Sequence, residues 1–170
     1  MRADTQAEYI EFVRARLPWL RRVAYGLSGD WHRADDLVQA TLTKTYLRWS
    51  AVRSAREVDT YVRAILVKCF LSDRRLAWSR VRLVAATPET AARPVDDAED
   101  RAVLAGALAQ LPKRQRAVIV LRFLCDLPVT EVAEILDVTD GTVKRHTSDG
   151  LASLRRYLAG GAYPMPERQS

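Results

Sequence analysis

Cysteine and histidine are scarce in this chain, with two of each among 170 residues. Cys69 and Cys125 lie far apart in apolar stretches, which excludes a disulfide framework and favours a reducing compartment. The two histidines are also far apart and no cysteine pair accompanies them, so we expect no structural zinc site. Glycine and proline number 7 each, too few for a collagen-like or wholly disordered chain.

Long apolar runs and targeting patterns are also missing. No uninterrupted apolar stretch approaches the roughly 20 residues that cross a bilayer, and residues 1–6 lack the basic-then-apolar order of a signal peptide. We therefore expect a cytoplasmic protein with no membrane contact. The sequence also lacks a glycine-rich phosphate loop, an HExxH motif and a Ser/His/Asp order. We therefore expect neither an enzyme nor a bound cofactor.

Charge is distributed unevenly along the chain. Residues 1–87 contain 16 basic and 9 acidic residues, residues 88–110 contain 2 and 5, and residues 111–170 contain 9 and 7. A basic part, an acidic strip and a mildly basic part indicate two units joined by a linker. The formal net charge of +6 favours a polyanion as partner.

Apolar residues recur every three or four positions through residues 9–76, which predicts a series of helices. The first helix is expected to kink or restart at Pro18. A polar loop is expected at about residues 50–57, before the third helix. Because no stretch of four or more residues alternates as a strand does, we expect residues 1–82 to form an all-α unit.

The periodicity disappears in residues 83–98, where two prolines, small residues and acids indicate a flexible linker. Helical spacing resumes in residues 99–160, and Pro112 suits the first position of a helix because its missing N–H costs nothing there. Residues 161–170 are expected to be a flexible tail. The expected fold class is therefore all-α, with two small helical domains joined by a flexible linker.

Residues 128–154 have the pattern of a helix-turn-helix. Thr130 can cap a short helix, and Asp137-Val138-Thr139 can form a tight turn before a second helix. Polar side chains near the start of that second helix would point outward, where a recognition helix contacts base edges and phosphates in the major groove. The alternative is an ordinary helical hairpin in a bundle. The candidate DNA-binding residues here are Thr142, Lys144, Arg145 and Ser148.

A second basic cluster lies between Thr60 and Arg82, where six basic residues and one acid are interleaved with three aromatic residues. Arginines can bind a phosphate path while aromatic rings stack on unpaired bases, which is how proteins hold single strands. The alternative is a solvated helical face over core aromatics. The candidate single-strand-binding residues are Arg63, Lys68, Arg74, Arg75 and Trp78.

The order of these segments resembles a known family. Residues 35–49 look like the helix of sigma-70 family initiation factors that binds core RNA polymerase, and residues 111–122 with the helix-turn-helix look like the fourth region of that family. Only these two regions are present, which is similar to the extracytoplasmic-function (ECF) group. Residues 16–30 are similar to its actinobacterial SigE-like subgroup, and the resemblance covers roughly residues 5–158.

The resemblance implies a factor that binds the RNA polymerase core and directs it to promoters. Residues 50–82 would hold the melted −10 element, helix 140–154 would bind the −35 element, and helix 112–124 would seat the second unit on the polymerase flap. An anti-sigma factor is a further partner that the resemblance suggests. The residues that would dock on the clamp of the largest polymerase subunit are Asp35, Asp36, Gln39 and Thr43.

Two features depart from the family pattern and leave the promoter sequence open. Lys68 stands where relatives usually have Asn, and Ser148-Asp149-Gly150 replaces a more basic stretch. A stand-alone helix-turn-helix regulator of the LuxR type is the alternative. It would explain only residues 112–158 and would leave the first 82 residues without a role.

Overall fold

The computed structural model describes residues 3–73 and 95–160. Within these ranges the regular structure is helical and contains no strand, which confirms the predicted all-α class. Three predicted single-strand-binding residues, Arg74, Arg75 and Trp78, lie outside the described residues, as does the expected tail. No helix in the described ranges is long and apolar enough to cross a bilayer.

The first part of the structure consists of α1 (Ala3–Ser28), α2 (Trp31–Leu47), α3 (Trp49–Arg53) and α4 (Val58–Ser72). Asp30 begins α2, because its carboxylate accepts a hydrogen bond from the Arg33 backbone N–H at 3.1 Å. The apolar faces of α1, α2 and α4 meet in one core. Its fully buried members include Leu20, Leu27, Leu66 and Phe70, each worth about 1.5–3 kcal/mol of burial.

Two local expectations for this part are wrong, namely a restart of the first helix at Pro18 and a loop across the whole of residues 50–57. The first helix does not restart at Pro18, and α1 is unbroken through it. Pro18 lies on the exposed face, where water can satisfy the Arg14 carbonyl that the proline leaves without a donor. The expected polar loop at 50–57 begins inside α3, because Trp49 and Val52 are buried against the core and hold that segment as a short helix.

The second part consists of α5 (Val95–Ala109), α6 (Lys113–Ile119), a π-helical turn (Val120–Leu124), α7 (Val129–Leu136) and α8 (Asp140–Gly160). Residues 95–98, at the end of the expected linker, are already helical. Pro112 directly precedes α6 instead of occupying its first position. Pro128 is the residue before α7, so Thr130 lies in the first turn and is not its cap.

The two parts share one core of buried apolar residues, and Arg116 and Lys113 of α6 add polar contacts between them. The Arg116 guanidinium is buried, and its Nη1 donates to the Leu27 carbonyl of α1 at 2.8 Å. Lys113 Nζ donates to the Asp73 carbonyl at the end of α4, at 2.9 Å. Both cations also lie over the Phe70 ring, at 5.6 and 5.4 Å from its centroid.

The packing of α8 against α6 accounts for the glycine in the Ser148-Asp149-Gly150 stretch. Gly150 lies where α8 crosses α6, and a Cβ there would stand 2.9 Å from Ile119 Cγ1 and 3.0 Å from Cδ1. Ile119 is buried in the core and has little room to move. Only glycine permits this approach of the two helices.

Replacement of Gly150 by alanine is expected to lower the free energy of unfolding by about 1 kcal/mol. Overpacking a core costs about 1–3 kcal/mol, which exceeds the gain of about 0.5–1 kcal/mol from replacing a helical glycine. Gly106→Ala is the matched control, because none of the described residues comes within 4 Å of that added Cβ; it should stabilise. Thermal unfolding followed by circular dichroism measures the Tm of both variants. Equal changes in Tm would contradict the close approach of α8 to α6.

Candidate nucleic-acid and polymerase interfaces

The turn between α7 and α8 comprises Asp137, Val138 and Thr139, as the sequence predicts. Asp137 has φ of 54° in the left-handed region, which Asp tolerates better than most residues. The Val138 N–H donates to the Ala133 carbonyl at 3.0 Å and closes the end of α7. Thr139 Oγ1 accepts from the Thr142 N–H at 3.2 Å and caps the start of α8. The turn therefore fixes where α8 begins.

The two helices on either side of this turn bury their apolar faces, as the helix-turn-helix pattern requires. Val132, Ala133, Ile135 and Leu136 of α7 are buried. On α8, Val143 and Leu154 are buried, while Thr147 and Leu151 are half-buried. The start of α8 is thereby left with its polar side facing outward.

The structure places the four predicted DNA-binding residues in the first two and a half turns of α8. Lys144, Arg145 and Ser148 are exposed. Thr142 is half-buried, and its hydroxyl lies 3.0 Å from Thr139 Oγ1. Asp149 is also exposed, beside Ser148. The helix therefore presents two cations and one free hydroxyl near its N-terminal end, where the helix dipole adds positive potential.

The predicted polymerase-docking residues lie on one side of α2, although they are not equivalent. Asp36, Gln39 and Thr43 are exposed and separated by three or four positions, which places them on one face. Asp35 instead accepts from Arg21 Nε of α1 at 2.7 Å. The Asp35 carboxylate therefore already forms an ion pair within the protein, whereas Asp36 has no ion pair with the described residues.

The predicted single-strand-binding residues of α4 also differ from each other. Lys68 is exposed. The Arg63 guanidinium lies over the Trp19 ring, 4.9 Å from its centroid, and its buried Nε finds no hydrogen-bond partner among the described residues. Phe70 is fully buried, so this aromatic residue belongs to the core, as the alternative reading of the segment held.

Sequence reasoning missed Trp19, Arg21 and Trp31. Arg21 lies over Trp31, 5.2 Å from the ring centroid, while Trp31 stacks on Tyr25 at 4.2 Å. These contacts join α1 to α2 and orient the Arg21 guanidinium toward Asp35. Among the described residues, no three His, Cys, Asp or Glu side chains form a group that could hold a metal ion.

The first part carries α2 with an exposed polar face, and the second part carries a capped helix-turn-helix formed by α7 and α8. These features are those of a two-part DNA-binding protein. The sigma-70 region 2 family model matches residues 12–80, and the sigma-70 region 4 model matches residues 107–156. The chain belongs to the sigma-70 family, in its ECF group, as the resemblance predicted. As such it binds the RNA polymerase core and promoter DNA and directs transcription initiation.

Relatives with this two-region organisation are found in several bacteria. The chain is 36% identical to the RNA polymerase sigma-E factor of Streptomyces coelicolor over 157 residues, which cover 89% of this chain and 86% of that protein. It is 30% identical to the ECF sigma factor SigL of Mycobacterium tuberculosis over 147 residues, 82% of each chain. Because both parts match sigma-70 regions, the LuxR-type alternative is not supported.

Among solved structures, the chain resembles the sigma factor RpoE of Bartonella quintana, determined with the anti-sigma factor NepR. The TM-score is 0.69 at 25% sequence identity, with 91% of this chain and 99% of that chain covered. CnrH, determined in complex with the cytosolic domain of CnrY, shares the fold, with a TM-score of 0.67 at 18% identity.

Proposed function

We propose that this ECF sigma factor engages its partners through three surfaces: the start of α8 for the −35 element, the outer face of α4 for the −10 element, and the polar face of α2 for the polymerase clamp. The observation that carries the proposal is the exposed basic group at the start of a capped recognition helix. The factor acts by binding alone, with no catalytic step and no cofactor, and it works in the cytoplasm, where its polymerase partner is.

Recognition of the −35 element follows from the geometry of α8. A recognition helix enters the major groove with its N-terminal residues against base edges. The arginine fork can donate two hydrogen bonds to guanine O6 and N7, and lysine can contact guanine or a phosphate. Arg145 and Lys144 therefore contact bases or backbone, and Ser148 adds a hydroxyl one turn further. Asp149 would repel phosphate, so it faces a base edge or solvent.

Contact with the −10 element is assigned to α4 and the residues that follow it. Lys68 offers an exposed cation for the phosphate backbone of a melted strand. Arg74, Arg75 and Trp78 continue this series beyond the described residues. Arg63 belongs to the same set by its position on α4, and it must leave the Trp19 ring to reach a phosphate.

Docking on the polymerase is assigned to α2, with a second contact from helix 112–124. Asp36 is the acid of α2 best placed to pair with a clamp arginine, because charge-assisted hydrogen bonds of this kind are strong. Gln39 and Thr43 extend the same polar face. In the second part, Phe123 is 55% exposed despite its apolar ring, which supports a contact of this segment with the polymerase flap.

An anti-sigma factor is a further proposed partner. The sigma factor RpoE of Bartonella quintana, which resembles this chain over 91% of its length, was determined in complex with the anti-sigma factor NepR. Such a partner would compete with the polymerase for the same exposed faces.

Run-off transcription with purified core polymerase tests the function. Core polymerase alone initiates transcription at no defined site. With this chain added, the polymerase should yield discrete transcripts from a library of genomic fragments. Core enzyme alone is the control. A chain that gives no discrete transcript and does not co-elute with core would contradict the proposed function.

Asp36→Arg is expected to reduce co-elution with core polymerase at least tenfold, because it places a cation against the arginines of the clamp. Glu11→Arg makes the same charge change at an exposed position of α1 and should co-elute as the unmodified chain does. Analytical size exclusion with core enzyme measures both, and unchanged far-ultraviolet circular dichroism shows that the fold persists. Equal co-elution of the two variants would exclude the α2 face as the docking site.

Arg145→Ala is expected to cost about 1–3 kcal/mol in binding at the −35 element and to relax sequence choice at one position there. Arg155→Ala, at an exposed position near the other end of α8, is the matched control and should preserve sequence choice. Footprinting of holoenzyme on promoters that vary at single −35 positions measures this. The assignment fails if both variants discriminate between the promoters as the unmodified factor does.

A further inference from the structure

Asp149 lies on the outward side of α8, beside the cations assigned to the −35 element. Its side chain is exposed, as are those of Arg145 and Ser148. Asp149 follows Arg145 by four residues, so its Cα lies about 40° around the helix from that of Arg145 and about 6 Å further along the axis. Ser148 lies about 60° from Arg145 on the other side. Asp149 therefore points more nearly with Arg145 than Ser148 does.

The rotation of α8 about its own axis is fixed by its buried side. Val143, Gly150 and Leu154 are buried, and a Cβ on Gly150 would lie 2.9 Å from Ile119 Cγ1. The helix cannot rotate without losing this close approach to α6. Asp149 therefore keeps its direction, and it faces the major groove whenever Arg145 does. Of the base edge and the solvent, the geometry favours the base edge.

The Asp149 carboxylate is not neutralised within the protein. It forms no ion pair with the described residues, although Arg145 stands at a spacing where opposite charges attract on a helix. The Cα–Cβ bonds of a helix tilt toward its N-terminus, so the carboxylate leans toward the turn that carries Arg145. Its oxygens are thus available to a donor supplied by DNA.

The edges of the four bases differ in what they offer to such a group. An ionised carboxylate only accepts hydrogen bonds. Guanine presents two acceptors in the major groove and thymine presents one, so both repel it. Adenine presents its N6 amino group between its own N7 and O4 of the paired thymine, which are both acceptors. Cytosine presents its N4 amino group with an acceptor on one side only, and it is therefore the base that suits Asp149 best.

A carboxylate in the groove also lowers affinity for DNA in general, because phosphates surround it. The chain has a formal net charge of +6, and its cations supply attraction that does not depend on sequence. Asp149 opposes part of that attraction at every site that lacks a suitable donor. Specificity can arise from such a repulsive element as well as from a new attraction. The expected role of Asp149 is therefore to exclude wrong sites.

We propose that Asp149 is a specificity-determining residue of this sigma factor: it accepts a hydrogen bond from cytosine N4 within the −35 element and rejects guanine and thymine there. The inference rests on the proposed function, because it requires α8 to occupy the −35 element. It adds a base and a position to that function. The position should lie within about two base pairs of the one that Arg145 contacts, because 6 Å spans about two base steps.

Asp149→Ala tests the role in the holoenzyme. The DNA is a promoter obtained from run-off transcription, with its −35 element randomised, and sequencing of the bound fraction gives the relative affinity for each base at each position. The unmodified factor should prefer cytosine over guanine and thymine at one position by at least about fivefold. Asp149→Ala should reduce this preference below about twofold and bind the guanine and thymine promoters at least about threefold more tightly.

Asp100→Ala is the matched control, since it removes the same acid from an exposed position of α5 and should leave every preference unchanged. All variants are compared at one salt concentration, because phosphate contacts depend on salt. Far-ultraviolet circular dichroism and the Tm show whether each variant is folded. A residue that merely supported the fold would weaken binding to all promoters, whereas loss of Asp149 should strengthen binding to some of them.

Asp149→Asn gives a second and independent result. The asparagine side chain both donates and accepts, and it pairs with adenine N6 and N7. The preferred base at the same position should therefore change from cytosine to adenine, by at least about threefold. A change of preference from one base to another cannot result from partial unfolding. Asp149→Asn thus remains informative if Asp149→Ala is unstable.

Three outcomes would overturn the proposal. The first is an unchanged preference at every −35 position in both Asp149 variants. The second is a change confined to the position that Arg145→Ala affects, which would make Asp149 a partner that orients this arginine. The third is uniformly weaker binding with a lower Tm than in Asp100→Ala. The proposed function fails separately, when the unmodified holoenzyme yields no discrete transcript, and the inference then falls with it.

Discussion

A buried guanidinium determines how the second part of this protein is built and where it meets the first. Arg116 is 6% exposed and donates to three backbone carbonyls, those of Leu27, Ala109 and Leu111, at 2.8, 3.0 and 2.9 Å. An unpaired buried charge would cost several kcal/mol, so these acceptors are obligatory. They are carbonyls at or just beyond helix ends, which lack intrahelical donors and carry the negative end of the helix dipole. The Arg116 guanidinium therefore supplies hydrogen-bond donors to carbonyls at the ends of both α1 and α5.

The junction around Arg116 is apolar as well as polar. The guanidinium also lies over the Phe70 ring of α4, 5.6 Å from its centroid, and buried apolar side chains of both parts belong to one core cluster. Separation of the two parts would therefore expose apolar surface as well as the Leu27 carbonyl.

Local features of the site were predictable, whereas pairings between distant residues were not. The turn at 137–139, its threonine cap and the outward side of α8 follow from spacing and capping within a few residues, and the structure agrees with them. Arg21 with Asp35, and Arg63 with Trp19, join side chains on different helices, and no periodicity indicates which partner each arginine meets. The same holds for Arg116, whose acceptor lies 89 positions away. Pro18 does not end α1, because burial of the apolar residues beyond it outweighs one missing hydrogen bond.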